Sequence, residues 1–206
     1  MKRAIVVALT FGLVAGSLAM PADAAKKPKK TTFYLHGNQA AGESELPETW
    51  IDGIPHVMDA QEPEGAEPKS QFVTNYGVGP NTECSGNGLY PIWKGNLAGT
   101  VVGNVKVTLH TVATPAAKLA IQLYPDASGG CNSALGNDFV PPATEAVVEV
   151  PPGPGVVEAV LPNRSFQVAG SMTLQIYIAD QGTSPAQVRL FYDSASMISS
   201  VQFALK

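Results

Sequence analysis

Three histidines, His36, His56 and His110, are the chain's whole stock of imidazole. Nucleophilic hydrolysis needs such a base held against a nucleophile and an orienting group. The sequence has no Gly-x-Ser-x-Gly elbow, and His36 and His110 fall on the outward phase of alternating segments. Glycoside hydrolysis would need two carboxylates facing one bond. The acids that could supply them, between Glu43 and Glu67, flank prolines in what reads as a solvated loop, where a carboxylate keeps ordinary acidity. No catalytic residue is therefore expected.

Other residue types could bind rather than react. Asp126-Ala127-Ser128-Gly129-Gly130-Cys131-Asn132 and Asn137-Asp138 gather hard oxygen donors on a glycine-bearing loop. Calcium takes roughly six to eight such oxygens, so Asp126 and Asp138 are candidate ligands of a structural calcium, although the spacing is not that of an EF-hand. Trp50, in Pro47-Glu48-Thr49-Trp50-Ile51-Asp52, offers a loop-borne ring for a sugar face or a protein partner. Trp93, in Tyr90-Pro91-Ile92-Trp93-Lys94, reads as a core residue. Leu46-Pro47-Glu48-Thr49 begins like a sortase signal, but Trp50 stands where that signal requires Gly.

Cys84 and Cys131 are the two cysteines, and neither has a Cys or His partner at a zinc spacing. Their reading depends on compartment. Lys2 and Arg3 precede an uncharged apolar run from Ala4 to Ala19, and Pro21 leads into Ala22-Asp23-Ala24, a small-x-small exit. Those are the three parts of a secretory signal peptide. The run is also short against the about 20 apolar residues a bilayer core requires. Residues 1–24 are expected to be removed, leaving no membrane span and a secreted or envelope-associated protein. In an exported chain an even cysteine count favours a disulfide, and closing the Cys84–Cys131 loop would stabilise the fold by about 4 kcal/mol.

These side chains must be carried by strands. From Leu89 onward apolar and polar residues alternate: Val105, Val107 and Leu109; Leu119, Ile121 and Leu123; Ala146, Val148 and Val150; Met172, Leu174, Ile176 and Ile178; Val188, Leu190 and Tyr192; Val201, Phe203 and Leu205. Period two puts one set on a core face and the other toward water. Thr114-Pro115, Ser128-Gly129-Gly130 and Pro151-Pro152-Gly153-Pro154-Gly155 supply turns. The expectation is one all-β domain over 33–206, an antiparallel sandwich of jelly-roll type, with an immunoglobulin-like topology second. Residues 25–32, with Lys26-Lys27-Pro28-Lys29-Lys30, read as a basic disordered tail. Residues 42–69, acidic and punctuated by Pro47, Pro55, Pro63 and Pro68, read as a surface excursion with one short strand around Ile54 to Met58. A net charge of −4 leaves no electrostatic footprint for nucleic acid.

At Val188-Arg189-Leu190-Phe191-Tyr192-Asp193-Ser194, followed by Ser199-Ser200 and a last strand, the sequence resembles the ends of β-sandwich modules appended to secreted bacterial hydrolases, of pre-peptidase C-terminal or carbohydrate-binding type. The resemblance covers the C-terminal half and is one of pattern. It implies a non-catalytic accessory role. The leading expectation is a binding module that recognises an extracellular protein or polysaccharide through its loops. A structural or carrier protein with calcium as sole ligand is the alternative, and a hydrolase the third.

Overall fold

A computed structural model describes residues 27–37, 56–74, 92–125, 131–132, 138–139, 141–162, 164–179 and 187–206. The strands are β1 (Lys29–His36), β2 (His56–Asp59), β3 (Lys69–Thr74), β4 (Ile92–Thr114), β5 (Ala117–Tyr124), β6 (Cys131–Asn132), β7 (Asp138–Phe139), β8 (Thr144–Val150), β9 (Gly153–Leu161), β10 (Phe166–Ile178), β11 (Gln187–Tyr192) and β12 (Ser200–Leu205). Among the described residues there is no helix long and apolar enough to cross a membrane. The all-β, antiparallel sandwich expected from the alternation is what forms, with one parallel exception where β2 meets β4.

The organising element is β4, 23 residues long. Its first half pairs with β10 through Ile92–Val101, and β10 continues the sheet to β5 and then β8. Its second half pairs with β9 on one side and with β12 and then β11 on the other. Gly103 lies between the halves at φ 76, a left-handed conformation that costs glycine little. The β12 register also shifts there, between Gln202 and Ala204. A bend of this kind lets one strand serve both layers. Gly95 answers a different need: a Cβ there would lie 2.8 Å from the Met58 carbonyl and from the Phe33 ring, so only glycine lets β2 and β1 approach.

Side chains from both layers meet in one apolar core that includes Leu109, Ile121, Leu123, Leu174, Ile176, Leu190 and Phe203, each assigned inward by its phase. Val148, assigned with them, is only partly buried. It sits on β8, which pairs with β5 alone among the described strands, and an edge strand covers less of its neighbour. Trp93 is fully buried, at 0 % exposure, as expected of a core residue.

One expectation is corrected. Lys29 to Thr32, assigned to a disordered tail, are the first half of β1 and pair in register with Leu205 to Gln202 of β12. Lysine is a poor strand former, but the edge of β12 supplies a ladder that its local sequence does not announce. The short strand expected around Ile54 to Met58 corresponds to β2.

Candidate functional site

The residues singled out for chemistry fall largely outside the described region. Trp50, Cys84 and Asp126 lie there altogether. Cys131 and Asp138 occupy β6 and β7, which pair as a two-stranded ribbon, and the described structure does not extend to their side chains. Among the described residues no group of three or more His, Cys, Asp or Glu could hold a metal ion.

The three histidines occupy three unlike settings. His56 is buried on β2, stacked on Trp93 with ring centroids 5.4 Å apart and tilted 5.6 Å from Tyr192. His36, at the end of β1, has Nδ1 2.7 Å from Asp193 Oδ1 and Nε2 2.9 Å from the Gln61 carbonyl. Carboxylate and carbonyl only accept, and which ring nitrogen donates to them depends on the tautomer; with an acceptor beside each nitrogen, His36 sits as an anchor between Asp193 and Gln61. Lys69 Nζ completes the cluster, 2.5 Å from Asp193 Oδ2 and 3.1 Å from the Gly37 carbonyl. Burial alone would raise the Asp193 carboxyl. The hydrogen bonds from Lys69 and His36, the Lys69 charge and the Gly37 amide outweigh it and hold the group below the usual carboxylate range. This cluster ties together the ends of β1, β2, β3 and β11, drawn from widely separated parts of the chain.

His110 lies on the outward face of β4, and partial burial lowers its pKa. Its cross-strand neighbours are Val156 on β9 and Phe191 on β11, so Val156, His110 and Phe191 form one row across three strands. The next row runs Pro154, Val112, Arg189 and Phe72, with the Arg189 guanidinium 4.3 Å from the Phe72 ring centroid. Val156 and Val160 are 57 % and 56 % exposed. A depression of about 260 Å³ opens between His110, Val112, Val156, Phe191 and Met197.

The floor of this face is built firmly. Ser199 is buried, donates its hydroxyl to the Phe191 carbonyl at 2.7 Å and accepts the His110 amide at 3.1 Å, joining β11 to β4. Ser194 Oγ accepts the amides of Ser196 and Met197, both at 3.2 Å, which sets the turn that presents Met197. Sequence reasoning passed over this face. Its signal was the pairing of apolar residues at Val156-Val157 and Val160-Leu161, where the inward member is explained by the core and the outward member is not.

A polar array covers part of the opposite layer. Gln122 Nε2 donates to Glu145 Oε2 at 3.0 Å and to the Tyr177 hydroxyl at 3.1 Å, and the Tyr124 hydroxyl donates to Gln122 Oε1 at 2.8 Å. Gln122, Tyr124, Thr173 and Gln175 are buried, so this outward-phase set is not a free surface.

Neither a protein-family model nor a curated protein sequence matches the chain. Solved structures do. A CocE/NonD family hydrolase from Staphylococcus aureus is similar over 88 % of this chain and 37 % of its own, at TM-score 0.53 and 8 % identity. An aminopeptidase from a marine sediment thaumarchaeon is similar over 86 % and 37 %, at 0.55 and 9 %. An α-amino acid ester hydrolase is similar over 86 % and 36 %, at 0.53 and 13 %. At these identities the likeness is one of fold. The chain spans little more than a third of the length of each of these proteins.

Proposed function

We propose that this chain is a non-catalytic accessory module that docks onto a protein partner, of the hydrolase-domain type, through the outer face of β9, β4 and β11. The observation that carries the reading is the pair of half-exposed valines, Val156 and Val160, on a rigid sheet face beside an apolar depression. A strand normally turns polar residues to water, as Glu158 between these valines does, and exposed apolar residues gathered beside an apolar depression, as Val156 is, point to an interaction site. The row of His110 and Phe191, with Arg189 and Phe72 beside it, has the aromatic and arginine character of interface centres. That a similar fold makes up 36–37 % of longer hydrolase chains supports this choice of partner class.

The experiment is cross-linking of the exported protein in its native medium, with the captured polypeptide identified by mass spectrometry. The expected product is a hydrolase-type polypeptide linked to residues beside β9 and β11. Val156→Asp should cut capture at least about tenfold, the effect of losing an interface centre, with the melting temperature nearly unchanged, as for other surface substitutions. Undiminished capture by the variant would refute the docking face. Capture of a polysaccharide instead, linked through loop residues, would favour recognition by loops.

Export and the disulfide belong to the same proposal. Intact-mass measurement of the secreted, unreduced protein is expected to give a chain without residues 1–24 and with Cys84 bonded to Cys131. Two alkylatable thiols would refute the bond.

A further inference from the structure

We propose a second binding surface, at the end of the sandwich where β1 begins and β12 ends, whose ligand is an acidic polysaccharide. The strand registers bring the cations of this end together. Lys29 and Lys30 pair with Leu205 and Ala204, and Lys106 pairs with Gln202 on the other side of β12. Lys206 exchanges two backbone hydrogen bonds with Thr100, at 2.9 and 3.1 Å. Thr100 in turn pairs with Gln167 on β10, three residues from Arg164. Lys27, Lys29, Lys30, Arg164 and Lys206 are exposed. Among the described residues Glu158 accompanies them, ion-paired to Lys106 at 2.5 Å.

The opposite end has the reverse sign. There β1 ends beside Asp59 and Asp193, with Glu62, Glu64 and Glu67 following β2. Among the described residues Lys27, Lys29, Lys30, Lys106, Arg164 and Lys206 thus gather at one end, while Lys69 is the cation set among the acids of the other, and such a grouping favours an anion at the first.

Beside these cations lies a depression of about 270 Å³ edged by Lys30, Thr32, Asn104, Lys106 and Gln202. Ammonium groups answer carboxylate, sulfate or phosphate, and amides and hydroxyls answer sugar hydroxyls. The cations are spread along a strand end rather than converged on a point, which suits a chain bearing repeated charges better than a single ion. Among the described residues, none of the exposed large hydrophobics, Val57, Val147, Val156 and Val160, edges this depression.

The test is titration of the exported protein with polygalacturonate, dextran sulfate, neutral dextran, polyglutamate and phosphatidylglycerol vesicles. The acidic polysaccharides are expected to bind, with affinity falling as salt rises, and neutral dextran is not. The double variant Lys29→Glu, Lys30→Glu should weaken that binding at least tenfold. Asn104→Ala with Gln202→Ala should weaken binding of the acidic polysaccharides while leaving the weaker binding of polyglutamate unchanged. Val156→Asp should leave all of it unaltered, which separates this surface from the docking face. Equal affinity for polyglutamate, binding to vesicles alone, or polysaccharide binding indifferent to the lysine reversals would each overturn the proposal.

Discussion

Trp93→Ala is expected to destabilise the fold by about 3–5 kcal/mol, the cost of emptying a large buried aromatic site. Trp93 is fully buried and pairs with Leu174 on one side and, in parallel register, with His56 on the other. Its ring stacks on His56 and meets Tyr192 edge-on at 5.5 Å, so it is in contact with β2 and β11 as well as its own layer. No small rearrangement refills that volume, because the three rings pack on one another. Trp93 Nε1 has no hydrogen-bond partner among the described residues, so Trp93→Phe removes volume without breaking a described bond and should cost much less. Urea unfolding of the three proteins measures the difference. A loss below about 1 kcal/mol for Trp93→Ala would mean that the site collapses around the gap or that Trp93 is not the hub of this packing.

Asp193→Asn is the second large effect. Asn tolerates left-handed backbone nearly as well as Asp, so the φ of 61 at this position is kept and the substitution isolates the charge. Lys69 and His36 then lose the carboxylate between them, and hydrogen bonds to charged groups are worth about 1.5–3 kcal/mol. The pH dependence follows from the lowered carboxyl. A group whose folded pKa is depressed contributes fully above its unfolded value, about pH 4, and loses that contribution as pH falls through the lower folded value. The native protein should therefore lose stability on acidification below about pH 4 more steeply than Asp193→Asn. Thermal melts between pH 7 and pH 2 give the comparison. Parallel acid limbs would show that Asp193 is not ion-paired in solution.

Much of the fold was legible because period-two alternation is a local signal. Leu109, Ile121, Leu174 and Phe203 needed only their neighbours in sequence to be placed inward. The pairing of Lys29–Thr32 was not legible, since it depends on β12 at the far end of the chain. The His36–Asp193 anchor joins residues 157 positions apart, and no spacing rule reaches that far. The residues chosen for binding, Trp50, Asp126 and Asp138, were chosen because loops collect aromatics and carboxylates. The exposed row on β9 was not singled out, because no alternating segment was read over residues 153–161. Val156 and Val160 are on the wrong phase for the core, and the phase itself was readable.

The central claim is that Val156 and Val160 are the middle of an interface. The direct measurement is the Kd of the cross-linked partner, purified, for the native module and for Val156→Asp with Val160→Asp, by calorimetric titration. The account predicts a Kd at least about tenfold weaker for the double variant, a difference of about 1.4 kcal/mol or more, with an unchanged melting temperature. Equal affinities at equal stability would contradict it and return these valines to the status of incidental surface.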